Sequence, residues 1–323
     1  MSGKSKREKI FNAYSSNLND YLIAIKQPMI HPQTGLAIDV TGKLYFCPLC
    51  YMYFLFHQLN ECGNDNFLTL EHNPPKKMGG KATILTCKKC NNTNGERNDK
   101  LVRNLLLIEA FLLEKDSSLF NVKFNVDSSP IKGSIQKKGT AVYFKPDPKS
   151  NPFAYQKVQN KIGQHETFNF DYSLDVPEWN EYSLGMLKIA YLKAFELFGY
   201  YFADMGNGAN IRDVLQKKGK YPAPNNGVID LNVDDKFLGI HIVREPKELC
   251  AMIITQKIII EEKAKSIQKN IPVILPGPSE KSWELLKNYH SVLGGELKIR
   301  TEKISLKKIP LLRAEYYYEL FNY

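Results

Sequence analysis

The chain has 323 residues, of which 43% are hydrophobic and 24% are charged, and its formal net charge is +10. At about 100–200 residues per domain this length predicts two domains, and the apolar content excludes a disordered chain. No apolar run reaches the roughly 18 residues of a membrane span, and the basic N-terminus lacks the apolar core of a secretory signal, so we expect a cytoplasmic protein without a membrane partner. The surplus of lysine and arginine favours polyanionic partners, namely DNA, with RNA not excluded; a solvated basic surface is the alternative.

The first third of the chain alternates between helical and strand-like patterns. Apolar residues at helical spacing predict an entry helix, and an apolar run that carries two cysteines follows it. Two short strand-like runs flank a Pro- and Gly-rich turn, and a further helix reaches Asn94, with Gly95 as its stop. The predicted elements are a helix over 5–25, strands over 66–72 and 81–86, and helices over 87–94 and 101–113.

The remainder of the chain has a different pattern, with short β-like runs broken by Pro, Gly and Ser and one long apolar helix. The predicted strands cover 120–126, 134–145, 228–233, 237–243, 251–260, 272–276 and 296–300, and the predicted helices cover 180–202 and 211–218. We therefore predict an α+β fold with an N-terminal domain over residues 1–115, whose motif core is 45–100, and a mixed α+β C-terminal domain over 116–323.

Four of the six cysteines form two Cys-x-x-Cys pairs, Cys47 with Cys50 and Cys87 with Cys90. In a reducing compartment such short-spaced pairs predict metal ligands. Zinc takes four tetrahedral thiolates, and a site closed by four thiolates is structural because it leaves no position for water. Disulfides and free thiols are the alternatives.

The loop between the two pairs holds residues that a structural zinc site does not need. Glu71 and His72 end the first predicted strand, and Asn91 directly follows the last cysteine. Hard divalent cations prefer oxygen ligands, and a neutral imidazole can take a proton from water. A metal-dependent phosphodiesterase site can use all three residue types. A zinc knuckle that only stabilises a small domain is the alternative.

The segment from CPLC through EHNPP and GG to LTCKKCNN and the following glycine resembles the HNH endonuclease superfamily over about 50 residues. It is most similar to the branch that reads C-x-x-C, E-H-x-x-P, G-G and C-x-x-C-N-N. The resemblance implies a ββα-metal fold, in which a β-hairpin and a helix surround one catalytic metal ion and a structural zinc ion lies outside the active centre.

The resemblance also implies roles for individual residues. His72 matches the general base that activates water, and Glu71 and Asn91 match ligands of the catalytic Mg²⁺ or Mn²⁺, for which nickel can substitute. The resemblance further implies that cleavage leaves a 5′-phosphate end and a 3′-hydroxyl end. The chain departs from the family at the middle Asn, which braces the catalytic histidine and would fall near Ala82 or Thr83. The structural zinc ligands implied by the match are Cys47, Cys50, Cys87 and Cys90.

Further candidates surround the motif. Asp99 is either an additional metal ligand or a cap or salt-bridge partner. Lysines beside the motif are candidate contacts to the phosphate backbone: Lys76, Lys77, Lys81, Lys88 and Lys89. The competing hypothesis is a zinc-bearing nucleic-acid-binding protein without catalysis. By analogy with restriction and anti-phage defence nucleases, residues 116–323 are interpreted as a specificity or sensing domain, and a homodimer or a regulatory partner remains open.

Overall fold

The computed structural model describes most of the chain. The described residues are 3–26, 43–59, 66–94, 99–113, 120–164, 170–174, 176, 178–204, 206–229, 232–262, 265–292, 299–304, 317 and 319–321. The predicted domain boundary between residues 115 and 116 lies outside them. Among the described helices, none is long and apolar enough to cross a membrane.

The described residues form a mixed α+β structure, as predicted, with eight helices and four small antiparallel sheets. The helices are α1 (Gly3–Ile25), α2 (Lys88–Asn94), α3 (Lys100–Leu113), α4 (Pro152–Gly163), α5 (Trp179–Phe198), α6 (Tyr200–Asp204), α7 (Asn207–Leu215) and α8 (Glu280–Val292). The strands are β1 (Leu44–Phe46), β2 (Tyr53–Leu55), β3 (Leu68–Asn73), β4 (Lys81–Cys87), β5 (Phe120–Val126), β6 (Ser129–Lys138), β7 (Ala141–Pro146), β8 (Phe170–Ser173), β9 (Gly239–Glu245), β10 (Ala251–Glu262), β11 (Lys265–Pro276) and β12 (Arg300–Lys303).

Two sheets are hairpins, β1–β2 and β3–β4, and two are four-stranded, with orders β7-β6-β5-β8 and β11-β10-β9-β12. The predictions of α1, α2, α3 and the β3–β4 hairpin are confirmed. The described residues of the predicted strand over 228–233 form no regular strand: Val228 makes an isolated bridge to Val273, and residues 230–231 lie outside the described part of the chain.

The predicted helix over 180–202 is two helices, because Gly199 interrupts it. Gly199 adopts φ 60° and ψ −138°, a conformation that favours glycine. Within α5 nearly every side chain is buried, including those on all sides of the helix. A helix that is apolar all round lies in the interior of a protein. Accordingly, α5 belongs to a hydrophobic core that also contains residues of α1, β1, β4 and α3.

Tyr200, at the start of α6, connects this core to the first cysteine pair. Its fully buried hydroxyl donates to the Phe46 carbonyl at 2.8 Å and accepts from the Phe46 amide at 2.7 Å. Phe46 directly precedes Cys47. The first cysteine pair is therefore fixed by a residue about 150 positions further along the chain.

Replacing Tyr200 by Phe is expected to lower the free energy of unfolding by about 1–3 kcal/mol, because two buried backbone groups lose their partner. Urea denaturation measures the loss. Tyr143→Phe removes a hydroxyl from a side chain that is 55% exposed and serves as the matched control. A Tyr200→Phe loss no larger than that of the control would contradict the buried bonds.

Candidate metal centre and hairpin site

The four predicted cysteine ligands converge in the structure. Their sulfur atoms all lie within 4.8 Å of one another, and the Sγ atoms of Cys50 and Cys87 are 3.7 Å apart. Zinc–sulfur bonds of about 2.3 Å in a tetrahedron place sulfurs about 3.8 Å apart, whereas a disulfide needs about 2.05 Å. The cluster can therefore hold a metal ion and is compatible with a structural zinc.

Local backbone geometry positions these sulfurs. The first pair lies in the turn between β1 and β2, where the Tyr51 amide donates to the Cys47 carbonyl at 2.8 Å. Cys87 ends β4, and Cys90 lies in the first turn of α2. The amides of Cys87 and Cys90 donate to the sulfurs of Cys47 and Cys87, each at 3.4 Å. Such N–H···S bonds stabilise negative charge on thiolate ligands.

The sulfurs also interact with one another. Hydrogen bonds from the neighbouring thiols lower the pKa of Cys87, whereas burial raises the pKa of Cys47. Metal binding requires deprotonated thiols, and a bound cation supplies the positive charge that a buried group of thiolates needs. The donor set therefore fits a thiophilic cation.

Helices from the second half of the chain support the first cysteine turn. The Tyr191 hydroxyl donates to the Pro48 carbonyl at 2.8 Å, and the Gln216 amide donates to the Leu49 carbonyl at 2.6 Å. The Arg212 guanidinium lies 4.0 Å from the centre of the Tyr51 ring. These contacts satisfy the buried carbonyls of the turn and hold it against α5 and α7.

The β3–β4 hairpin carries the other candidate residues, and its turn explains the Gly-Gly pair of the motif. Gly79 has φ 81°, and a Cβ there would lie 3.1 Å from the Ile259 side chain. A Cβ on Gly80 would collide with the Pro74 carbonyl. Only glycine fits both positions, so the pair shapes the turn and allows it to pack against β10.

Glu71 is buried and hydrogen-bonded. Its Oε1 lies 2.9 Å from Lys188 Nζ, and the Thr86 hydroxyl donates to its Oε2 at 3.1 Å. The side chains of Glu71 and Lys188 are 3% and 2% exposed. A buried ammonium from α5 therefore neutralises the first predicted metal ligand.

Asp99 shares the same ammonium. Its Oδ1 and Oδ2 lie 3.1 and 3.4 Å from Lys188 Nζ, so the salt-bridge role is the one observed. Burial disfavours the charged form of Lys188, but Glu71 and Asp99 outweigh it and raise the pKa of the ammonium. Burial raises the pKa of Asp99, and Glu71 adds to that effect, whereas Lys188 opposes it. With both carboxylates ionised this triad carries one excess negative charge and attracts a further cation.

Asn91, in α2, fastens the helix to β3. Its amide nitrogen donates to the Thr69 hydroxyl at 2.8 Å and to the Leu70 carbonyl at 3.3 Å. The Thr69 hydroxyl in turn donates to the Thr86 carbonyl at 3.1 Å. Since Thr86 also binds Glu71, a chain of hydrogen bonds links Asn91 to the carboxylate pair.

His72 lies at a bulge of the hairpin. The strand register shifts between Glu71 and His72, so that His72 pairs with Ala82 and Thr83 is the additional residue. The Thr83 hydroxyl is buried without a partner among the described residues. Burial lowers the pKa of the half-buried His72, as does Lys76, against the opposing effect of Glu71. The lowered pKa favours the neutral imidazole, the form that can accept a proton.

The five lysines that were predicted to contact phosphate lie in or next to this hairpin. Four of the five are exposed, whereas Lys88 is half-buried, with its ammonium 5.0 Å from the centre of the Phe67 ring. The exposed ones are Lys76, Lys77, Lys81 and Lys89.

Lys188 is the site residue that sequence reasoning missed. The pattern of α5 predicts one long apolar helix and does not single out Lys188. The available signal was a single lysine within the run GMLKIAYL, four residues after Leu184 and three before Tyr191. A lysine on an apolar helix face needs a buried partner.

The described residues thus offer two kinds of donor. Four sulfurs suit a closed structural metal site, and two carboxylates, Glu71 and Asp99, converge on the Lys188 ammonium. Carboxylate oxygens are the donor type that hard divalent cations prefer. Comparison of the chain with family models, with curated proteins and with solved structures gave no match.

Proposed function

We propose that this chain is a metal-dependent endonuclease of the HNH type that hydrolyses phosphodiester bonds in DNA. The observation that carries the proposal is the convergence of the Glu71 and Asp99 carboxylates on Lys188, with Glu71 next in sequence to His72, whose pKa is lowered by burial. The resemblance of the EHNPP, GG and CKKCNN motifs to that superfamily supports it independently. The four-cysteine site holds zinc in a structural role.

In this proposal His72 is the general base. It accepts a proton from the water molecule that attacks the phosphorus atom, which a neutral imidazole can do at pH 7. The exposed lysines of the hairpin, Lys76, Lys77 and Lys81, hold the phosphate backbone near it.

Glu71, Asp99 and Asn91 would hold the catalytic Mg²⁺ or Mn²⁺, because they supply the oxygen donors that hard cations prefer. When bound, the cation neutralises charge on the phosphate and stabilises the leaving oxygen. The Lys188 ammonium already contacts both carboxylates, so a cation held by them would have to share these oxygens with Lys188. The ammonium also keeps the two carboxylates close together before the cation arrives.

The test is the conversion of supercoiled plasmid to nicked or linear forms by the purified full chain, with and without Mg²⁺ or Mn²⁺. His72→Ala is expected to reduce the rate by about 10²–10⁴-fold, the usual contribution of a general base. Zinc content and thermal stability should stay at the level of the unmodified chain, because the half-buried ring has no hydrogen bond within the described part of the chain.

His57→Ala is the matched control, since His57 is an exposed histidine outside the hairpin. It should cut at the rate of the unmodified chain. Equal cutting by His72→Ala and His57→Ala would overturn the role of His72, and metal-independent cutting would overturn the role of the carboxylates.

A nucleic-acid-binding protein without catalysis is the second candidate. Lys188 favours it, because its ammonium occupies both carboxylates as an internal counterion. This candidate predicts that DNA is bound but not cut with any divalent metal ion. Binding and cutting measured on the same zinc-loaded preparation separate the two functions.

A further inference from the structure

The β7-β6-β5-β8 sheet has one apolar and one polar face. Side chains alternate along a strand, so Val122, Phe124 and Val126 of β5 share the buried face. The opposite face carries Asn121 and Lys123 of β5, Lys132 and Ser134 of β6, and Lys145 of β7. All of these except Ser134 are exposed.

The register brings three lysines together on this polar face. Lys123 and Lys132 are direct cross-strand partners, and Lys145 pairs with Ser134, two residues from Lys132. Like charges directly opposite each other destabilise a sheet. Within the described part of the chain, neither Lys132 nor Lys145 forms an ion pair. The register therefore concentrates positive charge on this face, where an anion would be stabilised.

The three lysines line an open hollow of about 490 Å³. Ser134, only 9% exposed, borders it, and its hydroxyl forms no hydrogen bond with any residue that the structure describes. Asp147 is the one acidic residue in the lining, so the hollow is positively charged overall. Its walls thus offer ammonium and hydroxyl donors that suit phosphate oxygens.

The shape of the charged row indicates a polymer. The lysines occupy three adjacent strands, and strands about 4.8 Å apart place the outer two about 10 Å from each other, more than one phosphate ion spans. Further along the same face, Lys138 lies 5.5 Å from the centre of the exposed Tyr143 ring. An exposed aromatic ring beside basic residues offers a surface on which a nucleobase can stack.

We propose that this lysine hollow binds the phosphodiester backbone of a nucleic acid. The hollow adds to the proposed nuclease a second contact with its substrate, on a sheet separate from the hairpin that carries His72. Phosphate contacts give affinity and position without reading sequence. This proposal rests on the proposed function only for the choice of DNA as the probe.

The test is fluorescence anisotropy of a labelled DNA duplex with the full chain in a His72→Ala background, so that bound DNA stays intact. The triple variant Lys123→Gln, Lys132→Gln and Lys145→Gln is compared with a control triple, Lys218→Gln, Lys220→Gln and Lys281→Gln. The control lysines are also exposed. Both triples lower the formal net charge by three, so a difference between them reports location rather than total charge.

The hollow variant is expected to lose at least about tenfold in DNA affinity near 0.1 M salt. The slope of log binding constant against log salt concentration should fall in magnitude by about 2–3, because each phosphate contact contributes about 0.9 to that slope. The control triple should change affinity by less than about threefold. Equal losses of DNA affinity in both triple variants would overturn the proposal. So would the absence of DNA binding by the chain in which these lysines are unmodified. Displacement of DNA by inorganic phosphate well beyond that by chloride of equal ionic strength would assign the hollow to free phosphate instead.

The outcomes separate this proposal from the proposed function. If the unmodified chain cuts plasmid and the two triple variants bind DNA equally well, the proposed nuclease activity stands and the role of the hollow is refuted. If the unmodified chain never cuts but only the hollow variant binds DNA less tightly, the role of the hollow stands and the nuclease activity is refuted.

Discussion

Replacing Cys87 by serine is expected to remove the bound metal ion and to unfold the region around it. Apparent zinc-binding free energies of about 10–16 kcal/mol in small zinc domains are as large as the roughly 5–15 kcal/mol stability of a whole protein. Cys87 ends β4, and the cysteine cluster ties this strand and α2 to the β1–β2 turn. Metal content by elemental analysis and the urea midpoint are the two measurements.

Cys250→Ser is the control, because Cys250 is a half-buried free thiol outside the cluster. It should retain about one zinc per chain and a nearly unchanged midpoint. If Cys87→Ser also retains a full equivalent of zinc, the four cysteines do not form the closed site. If the metal is lost but the midpoint stays the same, the site does not stabilise the fold.

Local signals were sufficient to predict the hairpin and the grouping of the four cysteines. The alternation in LTLEH and KATILT, the Pro and Gly residues between them and the Cys-x-x-Cys spacing are all encoded within about 40 residues. The structure places β3, β4 and α2 within one or two residues of the predicted ranges. Periodicity and turn chemistry act over such distances, so the sequence carries them directly.

The environment of the candidate site could not be predicted in the same way. Lys188 reaches Asp99 from 89 residues away, and Tyr200 reaches Phe46 from 154 residues away. Such pairs depend on how α5 and α6 pack against the hairpins, which no local pattern specifies. The motif identifies Glu71 as a ligand type but contains no information about its buried ammonium partner.

Replacing Lys188 by Met is expected to lower the free energy of unfolding by about 3–5 kcal/mol, because Glu71 and Asp99 would remain as buried charges without a counterion. Methionine keeps the length and most of the apolar contacts of the lysine stem, so the loss reports the charge. Urea denaturation of the zinc-loaded full chain measures it.

Lys193→Met is the matched control on the same helix. Lys193 pairs with Glu196 at 2.8 Å, but their side chains are 27% and 22% exposed, so its removal should cost at most about 1 kcal/mol. Adding Glu71→Gln and Asp99→Asn to Lys188→Met should recover most of the loss, since a neutral buried triad has no uncompensated charge. Failure of this rescue would show that Lys188 acts through packing instead.

The same variant tests whether the carboxylate pair is a divalent-cation site. A ligand that binds only the folded state stabilises it by RT ln(1 + [L]/Kd), about 2.7 kcal/mol at a hundredfold excess over Kd. Without the competing ammonium, Mn²⁺ should therefore raise the urea midpoint of Lys188→Met more than that of the unmodified chain or of Lys193→Met. An equal response in all three proteins would mean that Lys188 and the cation do not share Glu71 and Asp99, and the catalytic metal would then need other ligands.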